Sequence, residues 1–164
     1  MNIVVPLLTL LYGQLTQDST ANAAMKAALW DAAGGWRVYE STPTPTGALP
    51  GMPDSPRFPM LRIAYQFGTN TIGNGGRRLT TCARVQFDAI TDTENLLLIQ
   101  PVADRIDALF GERFTGASGA LQVRGSWGVS FDTHTQAGAS LPTTWKRLGG
   151  TYEFFCYDGT MGGL

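Results

Sequence analysis

Residues 60–91 contain two strand-like segments, "MLRIAYQFG" (60–68) and "LTTCARVQFDAIT" (79–91), on either side of the turn-rich "TNTIGNGGRR" (69–78). Both flanking segments alternate apolar and polar side chains, which is the pattern of a strand with one wet face. Asn-Gly and Gly-Gly supply the positive-φ positions that a hairpin tip requires. The sequence therefore predicts a long antiparallel hairpin, with one apolar face formed by Leu61, Ile63, Tyr65, Phe67, Leu79, Thr81, Ala83, Val85, Phe87 and Ala89.

Helical spacing appears on both sides of this hairpin. Three helices are predicted: one near the N-terminus with Pro6 in its first turn, one over residues 20–33 that ends at Gly34-Gly35, and one after residue 91 that ends at Gly111. Pro101 predicts either a kink in the third helix or a helix that begins near Gln100. The predicted buried stripes are Val4, Leu7, Leu8, Leu11 and Leu15, then Met25, Leu29 and Ala32, then Leu98, Val102, Ile106, Leu109 and Phe110.

The remaining segments alternate between strand and turn patterns. "WRVYES" (36–41), "ALQVRGSWGVSFDTHTQ" (120–136) and "WKRLGGTYEFFCYDG" (145–159) predict strands. "GERFTGASG" (111–119) and "AGASLPTT" (137–144) predict loops, and residues 159–164 predict a frayed tail. Because there is no repeating βαβ pattern, the chain predicts a single α+β domain over residues 1–164, with a largely antiparallel sheet and helices packed on one face.

Composition limits the classes of function. Only 15% of the residues are charged, against about 25% in typical globular proteins. Such a surface either contains much neutral polar area, from Thr, Ser, Gln and Gly, or is covered by other protein molecules; we favour the second interpretation. The net charge of −1 argues against a dedicated nucleic-acid-binding protein, which normally carries a basic patch.

The N-terminus and the two cysteines indicate a reduced, soluble product. Residues 3–11 are apolar, but the run is interrupted by Pro6, lacks basic residues before it, and is far shorter than the roughly 20 residues of a membrane span. We expect a cytoplasmic chain with a buried first helix. Cys82 and Cys156 lie in strand-like segments and are predicted to be buried free thiols.

Catalytic and metal-binding patterns are weak in this sequence. His134 is the sole histidine, and no nucleophile motif accompanies it, so we predict neither a catalytic residue nor a bound cofactor or metal. Asp88, Asp92 and Glu94 are interpreted as acids that favour the start of the third helix. The alternative is a small enzyme or ligand-binding domain that uses His134, Asp132 and an arginine on the open face of the sheet.

Two segments stand out as candidate interfaces. Residues 41–59 contain six of the nine prolines, which indicates either a stiff arm that docks on a neighbouring molecule or a flexible surface loop. The hairpin tip carries two arginines, which are either solvated or contact a subunit, a partner or passing DNA. The candidate interface residues are Pro50, Pro53, Arg57 and Phe58 in the first segment and Asn74, Arg77 and Arg78 in the second.

Five segments in order resemble the tail terminator, or tail-completion, proteins of long-tailed bacteriophages. They are "GGWRVYESTP" (34–43), "PRFPMLRIAY" (56–65), "VQFDAITDT" (85–93), "NLLLIQPVADRIDALF" (95–110) and "GGTYEFFCYDG" (149–159). The resemblance extends over most of the chain, and the long proline segment and Pro101 depart from the family pattern.

The resemblance implies a structural virion protein without enzymatic activity. It implies a hexameric ring at the head-proximal end of the tail tube, which stops tube polymerisation and joins the tail to the head connector. The implied partners are further copies of the chain, the tube protein and the connector, or stopper, protein, with DNA only passing through the lumen and no membrane. Assembly would take place in the host cytoplasm. The alternative within this class is another neck, head-completion or tail protein.

Overall fold

The computed structural model describes residues 3–41, 47–72, 78–137 and 144–158, without the side chains of residues 78–79, 129–137 and 144. The predicted frayed tail (159–164) and residues 73–77 of the predicted turn lie outside the described residues, whereas residues 69–72 and 78, predicted as turn, are strand. The elements are α1 (Val4–Thr16), α2 (Ala23–Leu29), β1 (Trp30–Asp31), β2 (Gly35–Trp36), β3 (Val38–Glu40), β4 (Met60–Ile72), β5 (Arg78–Thr91), α3 (Gln100–Phe110), β6 (Gly116–Ser118), β7 (Leu121–Ala137) and β8 (Thr144–Asp158), with 3₁₀ turns at Thr20–Asn22 and Leu96–Leu98.

Six strands form one sheet in the order β3-β4-β5-β8-β7-β6. Among the described strands of this sheet, only β3 and β4 pair in parallel, and every other neighbouring pair is antiparallel. The predicted hairpin is β4 with β5, and β8 pairs with β5 from Thr81 to Thr91. The predicted α+β class and the largely antiparallel sheet are therefore confirmed.

The helices pack on one face of this sheet because the strands place their large apolar side chains there. The buried Val85 and Phe87 alternate with polar neighbours on β5, and on β8 the buried Tyr152 and Phe154 alternate with the more exposed Glu153 and Phe155. These side chains share one core with the buried leucines of α1 and the buried residues of α3. Within this core the hydroxyl of Tyr152 donates a hydrogen bond to Asp107 Oδ1 at 3.2 Å, and burial, together with that carboxylate, raises the pKa of Tyr152.

Five aromatic rings form the centre of the core. The Phe110 ring lies 5.3 Å from that of Phe87, 5.0 Å from that of Phe114 and 5.5 Å from that of Phe154. Tyr152 meets Phe87 edge-to-face at 5.5 Å. Edge-to-face and offset contacts of this kind add to the free energy of simple burial.

The start of α3 confirms the prediction that the third helix begins near Gln100 and is not kinked at Pro101. The helix begins at Gln100, so the proline occupies its first turn, where a missing backbone donor has no cost. A 3₁₀ turn precedes it, capped by Asn95, whose side chain accepts a hydrogen bond from Leu97 N at 3.1 Å. The predicted burial of Leu98 is wrong: it lies in this turn and is 42% exposed.

The second helix is shorter than predicted. It ends at Leu29, and Trp30 then pairs with Trp36. The Asp31 carboxylate accepts hydrogen bonds from the backbone N–H groups of Gly34 (2.6 Å) and Ala33 (3.1 Å), which favours a turn over a helix. Those bonds, chiefly that from Gly34, and the nearby Arg57 lower the pKa of Asp31. Ala32 is consequently exposed, not buried.

Two further predictions need correction. The predicted loop over residues 111–119 contains β6, and the predicted strand over residues 36–41 is divided between β2 and β3 at Arg37. The Arg37 guanidinium donates to the carbonyls of Ala28 (2.7 Å) and Phe58 (3.1 Å), so it joins the end of α2 to the start of β4.

Both cysteines are free, as predicted, although only Cys156 is fully buried. Burial raises the pKa of the Cys156 thiol to about 12 and, with the nearby Glu153 carboxylate, also raises that of Cys82. Both thiols are therefore protonated and weakly reactive at neutral pH. None of the helices in the described ranges has the length and apolar character needed to cross a membrane.

Candidate functional site

The sheet face opposite the helices, here called the open face, carries the most unusual side chains in the described structure. At one end Phe58 packs on Trp145, with ring centroids 5.8 Å apart. Beside them are a group of charged residues and then a row of exposed aromatic and charged residues. The open face is therefore the candidate site.

The charged group, here called the ionic cluster, surrounds Asp88, which is only 1% exposed. Its carboxylate accepts hydrogen bonds from Arg62 Nε at 3.0 Å and from Gln86 Nε2 at 2.9 and 3.0 Å, and it pairs with Arg147 Nη1 at 3.4 Å. Arg62 also makes a second contact through Nη2. A buried charge requires such partners, because its solvation in water is lost.

The surroundings of Asp88 correct one part of a sequence prediction. The strand predicted over residues 79–91 contains Asp88, as observed, and there Asp88 lies opposite Arg62 on β4 and Gly149 on β8; the prediction that it favours the start of the third helix is wrong. Asp92 and Glu94 do lie just before the helical segment, but the side chain that caps its first turn is that of Asn95.

Gly149 makes room for the ionic cluster, which leads to a testable prediction. A Cβ atom at this position would lie 2.2 Å from Asp88 Oδ1, closer than atoms can approach. We expect Gly149→Ala to displace the carboxylate from its arginine partners and to lower the free energy of unfolding by about 2–3 kcal/mol, as overpacking does elsewhere. Urea denaturation of the purified variant measures the change.

Gly125→Ala is the matched control, because its added Cβ would meet only Phe155 at the ordinary distance of 3.4 Å. Equal losses of stability in the two variants would contradict a specific requirement for space beside Asp88.

A β-bulge in β4 determines which side chains reach the rest of the open face. Tyr65 pairs with Val85, but the next paired residue is Phe67, which lies opposite Arg84, so Gln66 is the extra residue. An inserted residue reverses the alternation beyond it. The prediction that Phe67 shares the buried face of Leu61 and Ile63 is therefore wrong: it lies on the open face and is 47% exposed.

Five residues form a continuous row across the sheet, here called the aromatic row. The register places Phe67 opposite Arg84, Arg84 opposite Glu153, Glu153 opposite Trp127, and Trp127 opposite Glu112. Directly opposed residues in antiparallel strands project to the same face. Trp127 is 57% exposed, and sequence reasoning assigned it no role.

Arg84 connects the row internally. Its guanidinium lies over the Phe67 ring at 4.7 Å from the centroid, and Nε donates to Glu153 Oε1 at 3.1 Å. Arg124 makes a similar contact with Tyr157 at 5.2 Å beside the row, where Phe155 is also exposed. These contacts already restrict the long side chains before any partner binds. Less side-chain entropy is therefore lost when a partner binds.

Three of the five residues, Phe67, Arg84 and Trp127, are of types enriched in protein interfaces, whereas glutamate, the type of the other two, is depleted there. Aromatic residues and arginine are enriched there and supply most of the binding energy, because they combine large apolar area with few rotatable bonds. The aromatic row can therefore provide a preorganised contact for another protein surface.

The structure separates the predicted interface residues into two distant groups. Arg78 begins β5 opposite Ile72, whereas the proline segment ends just before Met60, at the other end of β4. Twelve residues of strand place the two groups about 40 Å apart. Asn74 and Arg77 lie outside the described residues.

Much of the proline segment contacts its own chain. Leu49 is buried in the core, and the carbonyl of Pro50 accepts a hydrogen bond from Glu40 N at 2.8 Å. Arg57 pairs with Asp31 at 3.1 Å, and Phe58 packs on Trp145 as described. Pro50 and Pro53 remain exposed, as do other described residues of the segment, including Asp54, Ser55 and Arg57, so a neighbour could contact them.

The residues of the enzyme alternative lie on β7. The register places Asp132 opposite Gly149 and His134 opposite Arg147, and the side chains of both lie outside the described part. Within the described residues, no three His, Cys, Asp or Glu side chains form a group that could hold a metal ion.

No protein-family model matches the chain, and no curated protein is significantly similar to it. Among solved structures, a chain of the "virion of native gene transfer agent (GTA) particle" superimposes with a TM-score of 0.53. It is 15% identical, and the match covers 92% of this chain and 94% of that one. A second solved chain matches at 19% identity with a TM-score of 0.42, over 88% of this chain and 93% of its own. The first match shows that the two chains share a fold over nearly their whole lengths.

Proposed function

We propose that this chain is a structural subunit of a phage-like virion, and more specifically a tail terminator that forms a hexameric ring at the head-proximal end of the tail tube. The main support is the match to a chain of a gene transfer agent virion, which extends over almost the full length of both proteins. This role requires surfaces that bind other subunits. It does not require enzymatic activity.

The open face supports an assembly role independently. Trp127, Phe67 and Phe155 are exposed on one face of a rigid sheet, next to arginines that already have partners. Large exposed aromatic side chains are costly for a chain that stays alone in water, and useful for one that becomes covered. In this proposal the partners are further copies of the chain, the tube protein and the head connector.

The low charge density fits a ring through which DNA passes. Tight binding to phosphates would retard the DNA, since each neutralised phosphate adds to the affinity. The net charge of −1 is consistent with DNA that traverses the lumen without being held. The protein would be located in the virion after assembly in the host cytoplasm.

Deletion of the gene from the genome that encodes it tests the proposal. A tail terminator stops tube growth, so we expect tails longer than those of the parent particle and heads that lack tails, both measured by negative-stain electron microscopy. Expression of the chain from a plasmid should restore tail length.

Tails of normal length that fail to join heads would indicate another neck protein. Normal, infectious or transducing particles would contradict the proposal as a whole.

A further inference from the structure

Two strand segments at opposite edges of the six-stranded sheet have no neighbour on their outer side. β3 pairs only with the beginning of β4, and β6 pairs only with the beginning of β7. In the described part of the chain, no strand pairs with the outer side of residues 67–71 of β4 or of residues 132–137 of β7. These segments are here called the β4 edge and the β7 edge. Each presents backbone N–H and C=O groups with which another strand can pair.

The register shows which backbone groups of the β4 edge point outward. Leu61 N donates to Arg37 O, on the side away from β5, and alternate residues of a strand point the same way. The extra residue Gln66 shifts this alternation by one. The N–H groups of Gly68 and Asn70 therefore point away from β5, toward a position that a further strand would occupy.

The same reasoning identifies the outward groups of the β7 edge. Gly128 N donates to Gly111 O, on the side away from β8, and the register shift that follows moves the alternation by one. The N–H groups of Thr133 and Thr135 therefore point outward. Beyond their bulges, both edges pair regularly with the strand behind them, so each is a straight ladder of free groups.

Neither edge carries the features that keep exposed sheet edges apart. Proteins protect such edges with lysine, proline or a covering segment. β3 has a cover of this kind, since Glu40 N donates to Pro50 O of the proline segment. The β4 edge reads "FGTNT" and the β7 edge "DTHTQA", without lysine, arginine or proline and with a single carboxylate between them. Pairing of the two would therefore oppose no like charges.

The strand directions make the two edges of neighbouring copies compatible. β4 and β8 run one way and β5 and β7 run the other, because these neighbours are antiparallel. A second copy beside the first, in the same orientation, brings its β7 edge antiparallel to the β4 edge. Pairing of two identical edges would leave the other edge of each copy uncovered, whereas the mixed contact covers both edges and can repeat.

We propose that the β4 edge of one copy pairs with the β7 edge of the next copy, so that their sheets join by antiparallel strand addition. Main-chain hydrogen bonds provide the affinity of such a contact. Repetition of this head-to-tail contact closes a ring when the rotation between neighbours allows it. The inference rests on the proposed ring function for its biological role, but the contact itself can be measured with the purified chain.

Amide hydrogen exchange distinguishes edge pairing from other modes of self-association. At concentrations at which the chain associates, exchange at the outward N–H groups of Gly68, Asn70, Thr133 and Thr135 should slow about tenfold or more, because these groups gain partners. The N–H of Thr69 points to β5 in the single chain already, so its exchange should change by less than about twofold.

Two proline variants remove the two halves of the contact. Asn70→Pro and Thr135→Pro each delete one outward donor and place a ring where the neighbouring strand would lie. Each should raise the dissociation constant for self-association about tenfold or more, since a hydrogen bond is lost and the adjacent ones are disturbed. Sedimentation velocity of the full chain over a range of concentrations measures it.

Asn70→Ala and Thr135→Ala are the matched controls, because they remove the same side chains and keep the N–H groups. Asn70→Ala also loses the 2.8 Å hydrogen bond from Thr81 Oγ1, as the proline variant does. Both alanine variants should keep a dissociation constant within about twofold of the parent value. Unchanged thermal unfolding of all four variants shows that the fold is intact.

Mixing gives a result that a general loss of solubility or fold cannot produce. The Asn70→Pro chain keeps its β7 edge and the Thr135→Pro chain keeps its β4 edge, so an equimolar mixture should form heterodimers and nothing larger. A single proline variant that self-associates like the parent chain would indicate pairing of identical edges and overturn the proposal. A parent chain that remains monomeric up to millimolar concentration, or one that associates without slower exchange at the outward amides, would also overturn it.

The particle distinguishes this inference from the proposed function. If deletion of the gene alters tails but the Asn70→Pro chain restores them fully, the proposed function stands and the contact is wrong. If deletion leaves tails normal, the proposed function is wrong whatever the purified chain does.

Discussion

Replacement of Asp88 by alanine is expected to lower the free energy of unfolding by about 3–5 kcal/mol, the usual cost of breaking a buried ion pair from one side. Asp88 is buried, and its carboxylate is the shared partner of Arg62 and Arg147. Without it, two guanidinium groups that are themselves mostly covered lose their counter-charge. Denaturation with guanidinium chloride, monitored by circular dichroism, measures the loss of stability.

Two further variants identify the cause. Asp88→Asn keeps the shape and an acceptor oxygen but removes the charge, so it should cost less than alanine and still destabilise the protein. Replacement of all three residues together, Asp88→Leu with Arg62→Met and Arg147→Met, should recover most of the loss, since a buried ion pair exchanged for apolar side chains is often neutral. A loss below about 1 kcal/mol for Asp88→Ala, the range of exposed pairs, would contradict this account.

The hairpin and its buried face were largely predictable from the sequence. Period-two alternation identified both strands, and Val85, Phe87 and Ala89 are buried as that pattern requires. Alternation works here because one face is covered by helices and the other is not. The same parity puts Arg84, Gln86 and Asp88 together on the opposite face, but the ion pair with Arg62 also requires the strand register, which the sequence does not fix.

The bulge at Gln66 shows where pattern reasoning fails. "AYQFG" continues the apparent alternation of β4, so the sequence alone suggests that Phe67 follows Ile63 and Tyr65 into the core. The extra residue is visible only when β4 is paired with β5. Because the bulge moves an aromatic side chain from the core face to the open face, the aromatic row could not be predicted.

Trp127 was missed for a different reason. It lies in "RGSWGVS", where glycines interrupt the alternation, and a second irregularity falls between Val123 and Ser126. Some glycines of β7 have little space around them, such as Gly128, which lies against the Tyr152 ring. These close contacts, and not an alternation of apolar residues, determine the course of β7. The one sequence signal that could have identified it is a tryptophan close to two glycines, in a segment without apolar alternation.

The second large effect is expected from Phe110→Ala, which should lower the free energy of unfolding by about 3–5 kcal/mol. Phe110 is fully buried at the last turn of α3, and its ring contacts those of Phe87, Phe114 and Phe154. The substitution opens a cavity among rings that are packed against one another. Urea denaturation, with the slope checked for two-state unfolding, measures the change.

Phe110→Leu and Trp127→Ala are the two controls. Leucine keeps most of the apolar volume and should cost less than about 1.5 kcal/mol, while loss of the exposed Trp127 ring should change stability by no more than about 0.5 kcal/mol. Equal losses for Phe110→Ala and Trp127→Ala would contradict the assignment of the two sheet faces. The expected contrast separates aromatic side chains that stabilise the fold on the helix side from those available for binding on the open face.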